Sequence, residues 1–479
     1  MTRPEPVPMR LTKIVCTIGP SCNTEKDLRA LVKSGMNFAR LNLTHASAQK
    51  QLPIIHSLKK IRSSTSQGFG ILLDVRCAQV RTSVVSSPLK IAKGSNVYFG
   101  IEELRSKHRR SETFIGVDYS AFGKDILNAE MLLIDNGEMS FDIISVSSQG
   151  IVHTRALQDG SIGSKRHVNL PGADISLPTF TEADWEDIAC ATKEGVDYLA
   201  LSFVRNAEDI FEVRRYLDKR KSPIRIMAKI ETRQAVANLQ EIIDASDSVM
   251  VARGDLGAEV PFEEVPFIQD TIVRACRRVG KPVVIATHML ESMMFHPLPT
   301  RAEATDVAHA ANTLVDSTVL SGETASGRHP IVALEAMHRI LVATEKHLHA
   351  ESYEESIEVH GPIEARSQAA VQLARTLQAD AIVVITRSGR SAQALSKFRP
   401  QVPIVAITEN ANVWTMLSLH YGIMPIISSF KGELEESAVR GIRRAKTLGL
   451  LRKKMKIVLV SGTEITGGSV ISVQEREVG

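Results

Sequence analysis

Charged and small polar residues end two apolar, β-branched runs of this sequence. The run SVMVAR ends in Arg253 and is followed by Gly254 and Asp255, and the run RIMAKI carries Lys229 and precedes Glu231. Carboxylates on neighbouring strands are hard oxygen ligands that suit Mg²⁺. Water and substrate oxygens usually complete the coordination shell of this ion. Gly254 leaves backbone N–H groups accessible where a helix begins, and such groups bind anions. The sequence therefore predicts a metal ligand set beside an anion cradle.

Other runs of the same kind also end in polar side chains. In a closed barrel of parallel strands the carboxyl ends of all strands meet at one face, where active sites lie. Strand side chains alternate with period two, so Lys229 shares a face with Glu231, and Arg40 shares one with Asn42. One such residue would be an ordinary strand cap near solvent, but their number predicts a functional site. These strand-end residues are Thr17, Arg40, Asn42, Asp74, Ser202, Lys229, Glu231, Arg253, Asp255, Thr287 and Ser321.

Eight apolar runs would position these residues, and most are separated by segments with the apolar spacing of helices. Fully apolar strands that alternate with helices indicate a parallel sheet covered on both sides. Eight such units predict an α/β fold with a closed (β/α)₈ TIM barrel, and an open doubly wound sheet is the alternative. The runs lie at 13–17, 37–42, 70–74, 198–203, 225–230, 248–253, 282–287 and 317–322.

Two further regions interrupt or follow this alternation. Between the third and fourth runs, short segments such as NVYFGI, MLLID and FDIISV predict a small β domain inserted into a barrel loop. After the polar segment HAESYEESIEVHG, strands predicted at 379–386, 403–408, 422–428 and 456–462 indicate a separate α/β domain. The predicted organisation is barrel at 1–82, inserted β domain at 83–175, barrel again at 176–350 and C-terminal α/β domain at 351–479.

Composition restricts the class of protein. The 479 residues have room for about three domains, and 43% hydrophobic with 23% charged residues favours a large core. The net charge of +4 and the lack of a long basic run argue against nucleic-acid binding. No apolar segment reaches the ~20 residues that cross a bilayer, and the first residues lack the apolar region of a secretory signal. Five cysteines without a CxxC pair predict free thiols in a reducing compartment.

The sequence resembles the pyruvate kinase family over nearly its whole length. Several long motifs in one order carry this resemblance: KIVCTIGP, GMNFARLNLTHA, LSFVRNAEDI, AKIET, VARGDLGAE, ATHMLESMM, PTRAEATDVAHA and LSGETASG. It implies a (β/α)₈ barrel, a small β-barrel lid inserted after the third barrel strand, and a C-terminal α/β regulatory domain. It also implies phosphoryl transfer from phosphoenolpyruvate to ADP, which gives pyruvate and ATP in the last step of glycolysis.

The resemblance also implies a role for each matching residue. Mg²⁺ or Mn²⁺ would be held by Glu231 and Asp255. The substrate would be bound by Arg40, Lys229, Gly254, Asp255 and Thr287, with Lys229, Arg40, Thr287 and Ser321 in catalysis. Potassium would be held by Asn42, Thr44, Asp74 and the Val75 carbonyl, with support from Ser202. The nucleotide would lie near Asn42, His45, Arg81 and Lys165. Phosphoryl transfer needs mainly alignment and charge neutralisation, which such residues supply.

One segment departs from the family pattern. The family usually has Asp-Thr-Lys-Gly-Pro-Glu-Ile-Arg after the third barrel strand, where this chain has DVRCAQVR. Cys77 and Ala78 replace the Gly and the Pro, so we expect a changed hinge between barrel and lid. Gln79 replaces a Glu that accompanies potassium dependence in the family, and a Lys there accompanies independence. Potassium is therefore expected as a cofactor. Gln79 leaves open how strongly the activity depends on it. Thr44 and His167 are smaller departures, for Ser and Gly.

The C-terminal domain contains a further motif, TRSGRSA, at a predicted strand-to-helix turn. Backbone N–H groups and two arginines would form a phosphate nest from Thr386, Arg387, Ser388, Gly389, Arg390 and Ser391. The alternative is an ordinary turn with a capping Ser. In the family a matching loop binds a sugar-phosphate activator. The segment SGTEITGGSV is interpreted as a Gly-rich loop without the Arg-rich form that accompanies high bisphosphate affinity.

The expected partners are phosphoenolpyruvate, ADP or ATP, a sugar-phosphate effector and further copies of the chain in a homotetramer, without nucleic acid or membrane. SKRHVNLPG and TEADWEDI resemble the plastid-type branch, so the predicted compartment is the cytoplasm or, alternatively, the plastid stroma. Two other functions stay open. One is a Mg²⁺-dependent lyase acting on pyruvate-like enolates, against which the lid and LNLTH argue. The other is a weakly active or regulatory subunit of a hetero-oligomeric pyruvate kinase, which the altered DVRCAQVR segment allows.

Overall fold

A computed structural model of the protein describes residues 9–109, 111–173, 175–347, 357–465 and 468–479. The first part alternates strands and helices: β1 (Lys13–Thr17), α1 (Glu25–Lys33), β2 (Phe38–Asn42), α2 (Ala48–Ser64) and β3 (Gly70–Val75). Helix α1 begins after Thr24, whose hydroxyl accepts a hydrogen bond from the Asp27 N–H and so satisfies one free donor of the first turn. The first three predicted strands are confirmed.

The inserted β domain, called the lid below, follows β3. Its strands are numbered β4 to β11 along the chain. They pair in a six-stranded sheet, in the order β11-β7-β8-β9-β5-β6, and in a two-stranded sheet of β4 and β10. Both sheets contribute to one apolar core around Phe99, Phe122 and Phe141. The elements are β4 (Leu89–Ile91), β5 (Asn96–Ile101), a 3₁₀ helix (Glu102–Lys107), β6 (Thr113–Val117), α3 (Phe122–Asp125), a 3₁₀ helix (Ile126–Asn128), β7 (Leu132–Ile134), β8 (Met139–Val146), β9 (Val152–Ala156), β10 (Gly160–Ile162) and β11 (Val168–Asn169).

The alternation then resumes with α4 (Glu182–Glu194), β12 (Tyr198–Leu201), α5 (Ala207–Lys219), β13 (Arg225–Ile230), α6 (Arg233–Ala237), α7 (Leu239–Ala245), β14 (Ser248–Ala252), α8 (Arg253–Glu259), α9 (Val265–Val279), β15 (Val283–Ala286), a 3₁₀ helix (Glu291–Met294), α10 (Arg301–Asn312), β16 (Ser317–Leu320), α11 (Gly322–Ala325) and α12 (Pro330–Glu345). Strands β1, β2, β3 and β12 to β16 form a closed barrel in which neighbouring strands run parallel. The predicted TIM barrel is confirmed and the open sheet is excluded.

The barrel interior is packed with side chains. Phe38 and Tyr198 meet edge to face with ring centroids 5.5 Å apart, above Met227 and Met250 in the same cluster. Gly70 is required beside this cluster, because a Cβ there would lie 2.2 Å from the Phe38 ring. A filled interior leaves the carboxyl ends of the strands as the place where a ligand can reach the barrel.

The C-terminal domain is a five-stranded sheet with helices. Its elements are α13 (Gly361–Thr376), β17 (Ala381–Ile385), α14 (Arg390–Lys397), β18 (Ile404–Thr408), α15 (Ala411–Leu417), β19 (Ile423–Ile427), α16 (Leu434–Thr447), β20 (Lys456–Ile465) and β21 (Gly468–Glu477). The sheet order is β19-β18-β17-β20-β21, and β20 and β21 are antiparallel. The α/β domain is confirmed. The loop interpretation of SGTEITGGSV was wrong, because most of this segment extends β20 and starts β21 in a hairpin.

The C-terminal domain packs against the amino end of the barrel. Arg399 forms an ion pair of 2.6 Å with Asp316, which precedes β16, and the same carboxylate accepts from the Tyr421 N–H at 2.9 Å. The polar segment predicted to connect the two domains falls largely on 348–356, outside the described residues, and the domain limits stay predictions. The five cysteines are free thiols. In the described part of the chain, no helix is both long and apolar enough to cross a bilayer.

Candidate active site

A polar cavity of about 360 Å³ lies between the carboxyl end of the barrel and the lid. It brings together most of the strand-end residues that the sequence analysis selected. From that selection it is lined by Arg40, Asn42, Thr44, Arg81, Ser202, Lys229, Glu231 and Asp255. The other lining residues are Gln79, Asp135, Asn136, Glu138, His167 and Phe203. We call this the mouth cavity.

Lys229 is the buried cation at the centre of the mouth cavity. Its Nζ lies 2.8 Å from Glu231 Oε1 and 3.3 Å from Asp74 Oδ1, and it donates a hydrogen bond of 2.8 Å to Ser202 Oγ. Burial by itself would lower the pKa of Lys229, but the two carboxylates outweigh burial and hold its pKa above the ordinary value. Lys229 therefore stays a fixed positive charge at neutral pH.

Arg40 adds a second cation on the neighbouring side of the cavity. Its Nε and Nη2 lie 2.8 and 2.6 Å from Asp74 Oδ2, and its Nη1 donates to Thr17 Oγ1 at 2.9 Å. Burial opposes the charge of Asp74, but Lys229 and Arg40 outweigh burial and hold the pKa of Asp74 below its usual range. One carboxylate thus orients two cations toward the same space, and a bound anion would meet both.

Glu231 is fully buried and holds two contacts at its carboxyl group. The Phe203 N–H donates to Oε2 at 2.7 Å, and Oε1 faces Lys229 without a hydrogen bond of good geometry among the described residues. Burial, partly offset by Lys229, raises the pKa of Glu231 to about 7. An oxygen with an unused lone pair beside a second carboxylate, Asp255, fits a divalent cation.

The two carboxylates fit a Mg²⁺ ion whose remaining ligands are other oxygen atoms. Within the described ranges, no group of three or more His, Cys, Asp or Glu side chains is arranged to hold a metal ion. Glu231 and Asp255 would therefore supply two ligands and leave the remaining positions to water and substrate oxygens, as Mg²⁺ sites commonly do. Asp255 also accepts a hydrogen bond of 3.1 Å from Asn136 Nδ2, so the lid touches this carboxylate directly.

The raised pKa of Glu231 gives a prediction about cation binding. Below a pH of about 7 a cation must displace the carboxyl proton, so Mg²⁺ affinity is expected to fall about tenfold per pH unit there and to level off above it. Calorimetric titration of Mg²⁺ into substrate-free protein, about one pH unit on either side of 7, measures this. Glu231→Gln keeps an acceptor for the Phe203 N–H and should bind weakly at both pH values. Equal affinity of the unaltered chain at both would contradict the prediction.

The first turn of α8, which directly follows β14, provides the backbone of the predicted anion cradle, together with Thr287. The Gly254 N–H donates to Thr287 Oγ1 at 3.0 Å, and this hydroxyl donates to the Ala286 carbonyl at 2.5 Å. Thr287 has a φ of +71°, which is uncommon for a β-branched residue and is typical of strained functional sites. An arriving carboxylate would accept the Gly254 N–H in place of the threonine hydroxyl.

The expectation that Arg253 contributes a cation to the barrel mouth was wrong. Its guanidinium makes two contacts of 2.7 Å with the Asp306 carboxylate on α10, and it donates to the Thr287 carbonyl at 2.6 Å. Arg253 therefore holds the backbone of the strained threonine. Strand periodicity did not reveal this, because Arg253 begins helix α8 rather than ending β14.

Besides Asp74, Gly254 and Thr287, four residues predicted for the active site do not line the mouth cavity. Lys165 pairs with Asp118 inside the lid, and its carbonyl accepts from Arg81 Nη1 at 2.7 Å. The Ser321 N–H donates to Glu323 Oε2 at 2.7 Å. His45 is exposed beside the cavity, and the Val75 carbonyl accepts from the Cys77 thiol at 3.6 Å. The roles expected of these four residues stay predictions.

The altered hinge segment contains a residue with a left-handed backbone. Cys77 has a φ of +59°, and its N–H donates to Asp184 Oδ1 at 3.2 Å. Cys77 therefore adopts a conformation that favours glycine although it has a side chain, and its thiol is buried in the barrel core. Gln79 lines the mouth cavity and its Oε1 accepts from Arg81 Nη2.

Sequence reasoning missed the lid turn and Phe203 as parts of the site. Asp135, Asn136 and Gly137 all have positive φ, and Asn136 contacts both Asp255 and, at 3.3 Å, His167 Nδ1. The Asn-Gly pair between two apolar runs is a recognisable hairpin signal. It predicts the turn, but the sheet order is needed to place the turn over the barrel.

Comparison with known proteins identifies the family. Residues 9–334 match the family model "Pyruvate kinase, barrel domain", and residues 364–471 match "Pyruvate kinase, alpha/beta domain". The chain belongs to the pyruvate kinase family. It is 37% identical over 434 residues to a pyruvate kinase of Sporosarcina psychrophila, covering 89% of this chain and 73% of the relative. It is 36% identical over 466 residues to plastidial pyruvate kinase 2 of Arabidopsis thaliana, covering 96% and 79%.

Membership of the pyruvate kinase family assigns the activity. The chain is a phosphotransferase that converts phosphoenolpyruvate and ADP to pyruvate and ATP. Pyruvate kinases generally depend on Mg²⁺ and K⁺. The relatives come from bacteria and from plastids.

Proposed function

We propose that the mouth cavity is where this chain transfers the phosphoryl group. The observation that carries this proposal is the convergence of two cations, one of them buried, and two carboxylates on one lid-covered cavity: Arg40, Lys229, Glu231 and Asp255. Phosphoryl transfer needs aligned reactants and neutralised negative charge more than covalent chemistry, and this set supplies both.

The carboxylates and the cations take different roles in this proposal. Glu231 and Asp255 hold Mg²⁺ or Mn²⁺, which neutralises phosphate and enolate oxygens when it is bound. Lys229 stabilises the charge that develops on the transferred phosphoryl group and on the enolate oxygen, and Arg40 binds the phosphate. Both cations are already held in place by Asp74, so little reorganisation accompanies the reaction.

The remaining predicted residues complete the substrate and nucleotide sites. The substrate carboxylate accepts from the backbone of Gly254 and Asp255, next to the Thr287 hydroxyl, and the enolate is protonated through water near Thr287 and Ser321. The nucleotide lies along the lid side of the cavity, near Asn42, His45, Arg81 and Lys165. The Arg81 hydrogen bond to the Lys165 carbonyl supports a shared position for these two cations.

Divalent cations test this arrangement. The purified chain, supplied with phosphoenolpyruvate and ADP, should form no pyruvate after treatment with a chelator, and added Mg²⁺ or Mn²⁺ should restore the rate. Full activity in the chelated protein would overturn the proposed role of Glu231 and Asp255. The assay uses a chelator-treated sample of the unaltered chain, so a folding defect does not enter.

Potassium is proposed at Asn42, Thr44, Asp74 and the Val75 carbonyl, with support from Ser202. The Thr44 N–H donates to Asn42 Oδ1 at 3.0 Å, which holds two of these groups together. Asp74 carries the negative charge, although Arg40 and Lys229 already share it. The site is therefore less negative than a free carboxylate would make it, and a monovalent cation suits it better than a divalent one.

Gln79 is predicted to set the degree of potassium dependence. Because Gln79 is neutral, activity should persist partly without potassium and rise when potassium is added. Gln79→Glu should increase the dependence and Gln79→Lys should nearly remove it. The effect is worth about 1 kcal/mol, since one charge acts across a wet lid interface next to Arg81. The measurement is initial rate against potassium concentration, with a large organic cation holding ionic strength constant. No activity without potassium, together with no effect of Gln79→Lys, would contradict the prediction.

The effector site is proposed at Thr386, Arg387, Ser388, Gly389, Arg390 and Ser391. Gly389 has a φ of +86° and precedes α14, and Arg387 and Arg390 are exposed beside it. The Gly389 N–H already donates to Thr386 Oγ1 at 3.0 Å, so the arginines carry most of the anion attraction. Replacing both arginines with alanine should remove activation by a sugar bisphosphate and leave the basal rate unchanged. Equal activation of the variant would favour the ordinary capped turn.

Assembly and compartment are also proposals. The chain is proposed to form a homotetramer, which sedimentation analysis at several protein concentrations would test. Cytoplasm and plastid stroma both stay candidate compartments, because the relatives include bacterial and plastidial proteins.

A further inference from the structure

A second cavity, of about 320 Å³, lies between the two chain crossings that join the lid to the barrel. The outgoing crossing contributes residues 78–80, and the returning crossing contributes residues within 167–173 and 175–179. The barrel side is formed by the loops after β12 and β13, by helix α6 and by Glu259 at the end of α8. We call this the hinge cavity. Its volume is roughly twice the ~150 Å³ that holds a benzene ring in a protein interior.

The hinge cavity has an apolar body and an acceptor end. Val80, Leu170 and Leu177 are among the apolar residues of its wall. Asn169 is 2% exposed, and its Oδ1 has no hydrogen-bond partner among the described residues. The Asn169 Nδ2 donates to Glu259 Oε1 at 3.4 Å, and burial raises the pKa of the Glu259 carboxyl. A buried acceptor without a donor is costly, so a ligand that donates there would be stabilised.

The cations of the cavity wall are already engaged. Arg205 donates to the Ile175 and Leu177 carbonyls at 2.7 and 2.9 Å and so fixes the returning crossing. Arg233 forms an ion pair of 2.7 Å with Glu130 of the lid. The acceptors of the wall include the Asn169 amide oxygen, which lacks a donor, and the neighbouring Glu259 carboxyl group, and this pair selects a donor and favours a cation.

We propose that the hinge cavity is a binding site for a small amphipathic amine, with a compact apolar body and an ammonium group at one end. The apolar body occupies the space between the crossings, and the ammonium donates to Asn169 Oδ1 and to the Glu259 carboxylate. This site lies beside the mouth cavity and uses none of the residues assigned to metal, phosphate or nucleotide.

Phe203 couples the hinge cavity to the mouth cavity. It lines both, its N–H holds Glu231 Oε2 at 2.7 Å, and its ring packs edge to face against His167 with centroids 5.3 Å apart. Gln79 also lines both cavities. An occupant that fixes the crossings would restrict the movement of the lid relative to the barrel, so the amine is expected to inhibit turnover. This consequence rests on the proposed function, whereas binding itself does not.

Binding is tested with 2-phenylethylamine, titrated calorimetrically into the full chain without substrates. Saturable binding is expected at millimolar concentration. Asn169→Leu and Glu259→Gln should each weaken it about tenfold, since each removes one charge-assisted contact, and Ala237→Trp should abolish it by filling the space. Benzyl methyl ether, which has similar size and no donor, should bind weakly to the unaltered chain and equally to Asn169→Leu. Asp244→Asn, an exposed carboxylate change outside the cavity, should bind like the unaltered chain.

The absence of saturable binding, or equal binding by all three cavity variants, would overturn the proposal. Equal binding by the variants would place the amine elsewhere, for example on the carboxylates of the mouth cavity. The folding of each variant is compared with that of the unaltered chain by circular dichroism and thermal unfolding. If the larger changes prevent folding, the conservative Glu259→Gln variant alone still decides whether the amine binds in the hinge cavity. Because the titration contains no substrate, its result is independent of whether the chain converts phosphoenolpyruvate.

Discussion

Replacing Asp255 with alanine is expected to reduce turnover by roughly a thousandfold while the chain stays folded. The carboxylate lies in the mouth cavity, where its hydrogen-bonded partner is Asn136 of the lid. Its removal takes away one of the two proposed ligands of the divalent cation, and that cation would contribute several kcal/mol to the stability of the transition state. The side chain is half-buried and lies in the first turn of helix α8, so the free energy of unfolding should fall by no more than about 1 kcal/mol.

The matched control for Asp255→Ala is Glu263→Ala, an exposed carboxylate in the loop after α8. It should leave both turnover and urea unfolding unchanged. Steady-state rates at saturating phosphoenolpyruvate, ADP and Mg²⁺ make the comparison. Retention of even a tenth of the rate in Asp255→Ala would mean that this carboxylate is not a metal ligand.

Replacing Lys229 with methionine should lower kcat by about a hundredfold to a thousandfold with little change in nucleotide affinity. In the proposed mechanism the ammonium group, held between Asp74 and Glu231, neutralises charge that develops during phosphoryl transfer. The variant also leaves the buried carboxylates with fewer positive partners, so its free energy of unfolding should fall by about 3–5 kcal/mol. Rates and urea unfolding are both measured.

Lys13 offers a matched control for the second prediction. It is a buried lysine at the start of β1, at the opposite end of the barrel, and its Nζ lies 3.8 Å from Met424 Sδ. Burial lowers the pKa of Lys13 to about 7, so its charge is poorly stabilised. Lys13→Met should therefore keep its turnover. If Lys229→Met altered only the apparent affinity for phosphoenolpyruvate, Lys229 would bind the substrate without stabilising the transition state.

The barrel strands were predictable because their environment is uniform. All eight are buried on both faces, so each appears in the sequence as a continuous apolar run, and the polar residue that ends a run marks the active face. This rule by itself places Lys229, Glu231 and Arg40 together. It also selected Asp74, whose carboxylate joins the two cations.

Arg253 and Phe203 show where the rule ends. Arg253 directly follows β14 and Phe203 lies two residues after β12, yet Arg253 turns to the Asp306 carboxylate on helix α10, and Phe203 uses its backbone to hold Glu231. These partners come from distant parts of the chain, and only the assembled barrel brings them together. Local periodicity predicts the face of the strand to which a side chain is attached. It does not predict which partner the polar group of that side chain contacts.

The lid contributed contacts that the sequence could not assign. Its strands are short and pair out of chain order, so the sequence predicts a β domain without its sheet order. The Asn136 contact with Asp255 depends on that order. The backbone of Cys77 is a similar case, because its left-handed conformation is one that favours glycine and no local pattern predicts it for a cysteine.

The most direct test of the central claim is a simultaneous measurement of pyruvate and ATP formed by the purified full-length chain from phosphoenolpyruvate, with and without ADP. The account predicts equal amounts of both products, and no pyruvate above the uncatalysed background when ADP is left out. Pyruvate formed equally without ADP would indicate a lyase or hydrolase of the enolate. No product from a folded, Mg²⁺-loaded chain would indicate a non-catalytic subunit. Either result would contradict phosphoryl transfer in the mouth cavity.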